Sequence, residues 1–483
     1  MLFNSATFLF FFLPITLILY FFLRNRPVAR NVFLLIVSLL FYIWGEKVYT
    51  VLILVMITMN YYFGLRIARG GEGRKRVLII SILCNLLPLV FFKYTNFIVA
   101  NINVLIDLFG AEPFRIPRIH LPIGISFFTF SMLSYVIDLY RGKTGVERNP
   151  LSFAVFFAMF PKMLQGPIER YSNIARQLVE RRVGVDDFAC GARRFIAGLG
   201  KKVLIANVAG AAADKIFAIP AGDLPTSMAW LGIFCYAMQL YFDFSGYTDM
   251  AIGVGRFFGF RLMENFNYPY AVRSFRVFWQ RWHISLASWF MDYLYIPLGG
   301  SRVSRWRSYF NLLTIFFLTG LWHGSAWTFV IWGTLNGVFL VLERISNRWT
   351  ERIWKPAGHA VFIVFFFVQL TFFRAESIGY AFRFIGAMFG FSGAGAGQYS
   401  VLQYLGNNEL VIALCIAVIG SMPTVPVSRK RIEAFIEART GAARSALGAA
   451  YGVFQVSILA GILILSCMAV ASDTYNPFIY FQF

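Results

Sequence analysis

Long apolar segments recur along this chain, and its arginines and lysines gather between them. An α-helix needs about 20 apolar residues, usually ~17–25, to cross the hydrocarbon core of a bilayer. Candidate spans fall at residues 7–23, 31–45, 49–65, 77–92, 97–109, 121–139, 151–166, 195–218, 226–242, 309–342, 360–373, 378–392, 409–422 and 449–471. The 309–342 stretch is long enough for two passes. Several others are too short or too polar to cross alone. The expected fold is an all-α integral membrane protein with roughly ten to twelve transmembrane helices plus re-entrant and interfacial amphipathic helices. Composition agrees, with 58% of the 483 residues hydrophobic and 14% charged, against roughly 45–50% and 25% in soluble domains. A soluble globular protein is excluded, and so is a disordered chain, which needs low hydrophobicity.

The formal net charge is +21. On so apolar a chain that excess reads as basic loops facing an anionic lipid surface, so the expected partners are membrane lipids and no nucleic acid. Arg24, Arg26 and Arg30 crowd the first loop, the turn around Lys47 is nearly neutral, and Arg66 to Arg76 is again strongly basic. Basic loops stay cytoplasmic, which puts the N-terminus outside and the stretches Arg170–Lys202, Arg256–Arg307 and Arg429–Arg444 mostly inside. The N-terminal run to Leu23 lacks a basic leader and a small-residue cleavage site, so it reads as a first span and not as a signal peptide. No internal repeat or matching pair of broken helices supports an inverted-repeat transporter. Cys84, Cys190, Cys235, Cys415 and Cys467 are scattered without disulfide or metal-ligand spacing, and no metal is expected.

Four histidines are present: His120, His283, His323 and His359. His323 lies in LTGLWHGSAWTFVIWG, between Arg307 and Glu343. The 16 residues from Arg307 rise about 24 Å if helical, which places the imidazole deep in the bilayer. An ionisable group at that depth is a candidate functional site by default. Gly320 and Gly324 flank it and would leave room for a substrate. Depth alone does not separate this from a neutral histidine hydrogen-bonded between helices. Trp322 would wall such a site or simply pack.

His283 has a different setting. At 100° per residue, Phe275, Phe278, Trp282, Leu286 and Trp289 share about 80° of arc, and Arg273, Arg276, Gln280 and His283 cluster on another face. The pattern describes an amphipathic helix in the interface, apolar face down. The polar face either anchors the protein or lines a vestibule that attracts an anionic, pyrophosphate-bearing donor. Asp243 and Asp249, six residues apart, point roughly 240° apart on a helix, so they serve packing and not paired-carboxylate chemistry. Asp138 and Arg374 are expected at membrane boundaries. No GxSxG elbow, HExxH, phosphate loop or dinucleotide fingerprint occurs.

The run YFDFSGYTDMAIGVGRFFGFRLMENFNYPY (241–270), with FWQRWHISLASWFMDYLYIPLGGSR (278–302) and LTGLWHGSAW (318–327), resembles the membrane-bound O-acyltransferase family, nearest its bacterial alginate-acetylating branch. FKYTNF (92–97), LPIGISFFTFSMLSYVIDLYRG (121–142), FPKMLQGPIERY (160–171), TFFRAES (371–377) and YNPFIYFQF (475–483) extend the likeness over the whole chain. The resemblance implies one polytopic domain over 1–483 with a catalytic core about 120–345, in a bacterial inner membrane. It also implies a thin floor where a cytoplasmic thioester meets a hydroxyl from the other side. Acetyl-CoA or another acyl thioester is the donor substrate, with no bound cofactor, and a periplasmic polysaccharide acetyltransferase is the expected partner. The family histidine falls on His323, acting as general base, and a second polar position on His283, which would orient the donor or polarise its carbonyl. Arg273, Arg276, Gln280 and Trp322 would bind substrate. Tyr268 stands where the family often has histidine. With no serine or cysteine beside a base, direct transfer is expected. D-alanyl transfer from an acyl carrier protein, or non-catalytic translocation, are the alternatives.

Overall fold

The computed structural model describes residues 1–346, 352–392 and 399–472. The C-terminal run 475–483 lies outside them. Helices account for the regular structure of the described residues. Seven are long and apolar enough to cross a membrane: Pro27–Glu46, Tyr49–Ala68, Arg74–Leu108, Val185–Phe217, Trp327–Ile345, Lys355–Arg374 and Gly441–Ala471. The pair Asn408–Gly420 and Thr424–Glu437, bent by 66°, makes an eighth if taken as one span. Phe8–Phe22, Ile125–Tyr140 and Ile378–Met388 are shorter apolar helices.

Several sequence boundaries move for local reasons. The 77–92 and 97–109 segments fuse into one 35-residue helix that carries Pro88 inside it. The 309–342 stretch divides into Arg305–His323 and Trp327–Ile345. The 226–242 segment runs on to Phe257, through both aspartates. It can do so because those charges are paired with the Val185–Phe217 helix. Lys202 Nζ donates to Asp243, and Asp249 accepts from Arg194 Nε and Lys201 Nζ, each at 2.7 Å.

The Thr226–Phe257 helix is the axis of the fold. Residues Cys235 to Gly255 are all buried, as a helix apolar on most sides must be. Its two halves serve different cores. Tyr241, Phe242 and Phe244 pack with Trp279, Trp282 and Trp322, and Tyr247, Met250 and Val254 pack with Phe3, Phe41 and Phe160. A Cβ on Gly246 would stand 2.7 Å from the Gly198 carbonyl oxygen, so the seam with the Val185–Phe217 helix requires glycine there. By contrast, the Gly441–Ala471 helix buries little besides Ser466 and presents its apolar sides outward.

Candidate active site

His323 is the last residue of the Arg305–His323 helix, which stops at Gly324 and reverses into Trp327–Ile345. A helix that ends in the protein interior leaves carbonyl oxygens needing partners. Two side chains of the Arg74–Leu108 helix supply them. Tyr94 Oη donates to Leu321 O at 2.8 Å, and Lys93 Nζ donates to Trp322 O. A cation at a helix C-terminus also suits the helix dipole.

The flanking glycines do not make room for a substrate, contrary to the sequence expectation. A Cβ on Gly320 would lie 2.4 Å from Phe329 O, and one on Gly324 2.1 Å from the Phe329 ring. They exist so that the two helices can close on each other. The His323 ring is 4% exposed and is packed edge-on by Trp322, Trp332 and Phe373, with centroids at 4.9, 5.0 and 5.3 Å. Neither ring nitrogen has a hydrogen-bond partner, and the indole N–H groups of Trp322 and Trp332 also lack one. A histidine that merely tied helices together would use at least one nitrogen.

The amphipathic helix expected over 273–290 is broken. Phe275–Arg281 and Ile284–Phe290 are separate, and His283 between them has φ 44° and ψ 54°, a strained left-handed conformation for a non-glycine residue. The break separates His283 from the arginines predicted to share its face. It is fully buried, and Phe275, Phe278, Trp282, Leu286 and Trp289 pack into the protein core and not into lipid. Glu343 fixes the start of this hairpin by accepting from the Phe275 and Arg276 amides at 2.7 and 3.1 Å.

Asn265 fixes the hinge. Its carbonyl oxygen accepts from the Ser285 amide at 3.1 Å and from Ser285 Oγ at 2.9 Å, and it lies 3.1 Å from His283 Nδ1. Because a backbone amide can only donate, that oxygen is an acceptor and Nδ1 carries the proton. Nε2 is then a bare lone pair, and it has no partner. A neutral His283 therefore accepts a hydrogen bond at Nε2 but has no proton there to polarise a carbonyl. Trp322 touches both histidines, its ring 5.9 Å from His283.

Two cavities flank this aromatic floor. One of ≈450 Å³ is lined by buried His323, Trp322, Lys93 and Gln165 and by exposed Arg118 and His120. The other, ≈480 Å³, is lined by Arg276, Gln280, Glu343 and Arg344, by Thr319, and by apolar residues that include Phe316. Thr319 is one helical turn before His323. Of the predicted polar face, Arg276 and Gln280 line this cavity, but Arg273 does not.

Sequence reasoning missed Lys93, Asn265 and Trp332. Lys93 was within reach of the rule that singled out His323, since it is a charge in the middle of an apolar segment. Asn265 and Trp332 carry no such signal. No group of three His, Cys, Asp or Glu among the described residues could hold a metal ion. The arrangement offers unpartnered imidazole nitrogens to take a proton, indole N–H groups and a lysine to meet negative charge, a cavity that reaches His323, and a second cavity one helical turn away.

The family model described as MBOAT, membrane-bound O-acyltransferase family, matches residues 122–380. A probable alginate O-acetylase AlgI of Pseudomonas aeruginosa is 40% identical over the whole of both chains, and its counterpart in Azotobacter vinelandii is 39% identical, also over the whole of both. A peptidoglycan O-acetyltransferase of Helicobacter pylori is 35% identical over 81% of this chain and 80% of its own. This multi-pass membrane protein therefore belongs to the membrane-bound O-acyltransferase family and is an O-acyltransferase.

Proposed function

We propose that the protein moves an acetyl group from a cytoplasmic thioester, acetyl-CoA or an acyl carrier, to a hydroxyl on the way to an exported, alginate-like polysaccharide, with His323 as general base. The observation that carries this reading is a buried imidazole with both nitrogens unpartnered, lining one cavity and one helical turn from a residue that lines another. The acceptor hydroxyl gives its proton to His323 as its oxygen attacks the thioester carbon. The carbon–sulfur bond breaks, and the thiolate leaves as a thiol with that proton. Such base catalysis is commonly worth ~10²- to 10⁴-fold. Lys93 and the indole N–H groups of Trp322 and Trp332 meet the charge that develops on the carbonyl oxygen. His283 Nε2 orients a hydroxyl or amide N–H.

Arg276, Gln280 and Arg344 draw the anionic donor to the second cavity. Basic loops at that end support an N-terminus on the outer side of a bacterial inner membrane. The acyltransfer core is the 120–345 region of a single domain over 1–483, and a periplasmic polysaccharide acetyltransferase completes delivery to the polymer; the alginate O-acetylase names of the relatives support the choice of acceptor.

The test is ester content of the exported polysaccharide, by mass spectrometry, in cells carrying His323→Ala. The variant should accumulate in the membrane and leave the polymer without acetyl groups. Full acetylation would end the proposal.

A further inference from the structure

A second set of buried ionisable groups takes no part in this chemistry. A cavity of ≈1160 Å³ opens between the end of the Leu13–Phe22 helix, the start of Pro27–Glu46 and the turn after Tyr171–Glu180. Four arginines line it, Arg24, Arg30, Arg181 and Arg182, with Glu180 as the acidic residue. Glu180 is already engaged, accepting from Arg176 Nε at 2.6 Å. Arg30 and Arg181 are 7% and 5% exposed, and among the described residues neither has a carboxylate within ion-pair distance.

The two guanidiniums are held unequally. Arg181 donates from Nε to Tyr20 Oη at 3.0 Å, from Nη2 to Asn31 Oδ1 at 2.7 Å and from Nη1 to Leu178 O at 3.0 Å. Arg30 hydrogen-bonds only to the Arg181 carbonyl oxygen, at 3.4 Å, lies over the Tyr20 ring at 5.9 Å, and its Nε has no hydrogen-bond partner. Burial, with the charge of Arg30 adding to it, pushes Arg181 below the usual arginine range. Two adjacent, largely buried cations without a counter-ion are costly, because hydrogen bonds to neutral groups offset only part of the lost hydration.

We propose that this cavity binds the phosphate headgroup of an anionic phospholipid from the adjacent leaflet. A phosphate takes several guanidinium hydrogen bonds at once, and a basic pocket between helix ends is a recurrent lipid site. A lipid fits better than a free ion because exposed Val179 and Val185 line the same cavity and suit acyl chains. Occupation would fasten the N-terminal helices to the core, since Tyr20 already donates to Phe258 O at 2.9 Å.

The full-length protein, purified and stripped of lipid, is melted with phosphatidylglycerol, phosphatidylcholine or inorganic phosphate. Phosphatidylglycerol should raise the melting midpoint, and the two controls should not. Arg24→Gln with Arg182→Gln alters exposed arginines and leaves the buried pair intact. That double variant should need about 30-fold more phosphatidylglycerol for half the shift. An equal shift with phosphatidylcholine, an unchanged response in the double variant, or a shift reproduced by phosphate alone would each overturn the proposal.

Discussion

Polar groups are buried in two neighbouring regions under opposite rules. Along the seam of the Val185–Phe217 and Thr226–Phe257 helices, charges meet charges: Lys202 with Asp243, and Arg194 and Lys201 with Asp249. Around Trp322, His283 Nε2 and both nitrogens of His323 meet nothing but rings. The first arrangement neutralises ions that could not otherwise stay in a low-dielectric interior. The second keeps neutral imidazoles whose lone pairs await a hydrogen bond, a smaller cost than an unpaired charge. Partnered groups hold the fold together, and unpartnered ones are available to a substrate.

The largest effect expected from this contrast is on activity. His323→Gln keeps bulk and polarity and should cut acyl transfer by ~10²- to 10⁴-fold, with the folded yield near that of the unchanged protein by size-exclusion chromatography. Lys202→Ala should do the reverse. It leaves Asp243, 4% exposed, without its cation, a loss of ~3–5 kcal/mol, and little folded protein should be recovered. Were Lys202→Ala to fold normally and lose only activity, the division between the two regions would collapse.

Asn265→Ala gives a smaller effect that sharpens the comparison. Asn265 positions His283 by fixing its Nδ1 proton, so losing that hydrogen bond, about 1 kcal/mol, should slow transfer by roughly tenfold or less. Asn265→Asp, which keeps the acceptor oxygen, should restore part of the rate. Rescue by aspartate separates a role in proton placement from packing, which both substitutions disturb.

Much of the membrane architecture was legible because apolar length acts locally, and His323 stood out as an ionisable group within an apolar stretch. The placement of His283 was not legible. Its polar neighbours Arg276 and Gln280 do share a helix face, but the hinge depends on Asn265, 18 residues earlier, whose hydrogen bonds override the helical period. Gly320 and Gly324 were misread for the same reason: their close neighbour, Phe329, belongs to the next helix. The continuation of the 226–242 segment through Asp243 and Asp249 likewise depends on cations from another helix.

The mildest test stays within the seam. Asp249 is paired twice, yet the side chains of Arg194 and Lys201 are 34% and 30% exposed, against 4% for Lys202 beside Asp243. Solvent screens the outer cluster, so Asp249→Asn should cost about 1 kcal/mol or less. It should lower the melting midpoint slightly and leave acyl transfer unchanged. Asp243→Asn, six residues earlier in the same helix, strands a buried lysine and should cost several times more. Equal losses at the two positions would mean that burial does not grade the seam, and the contrast with the histidine floor would then rest on pairing alone.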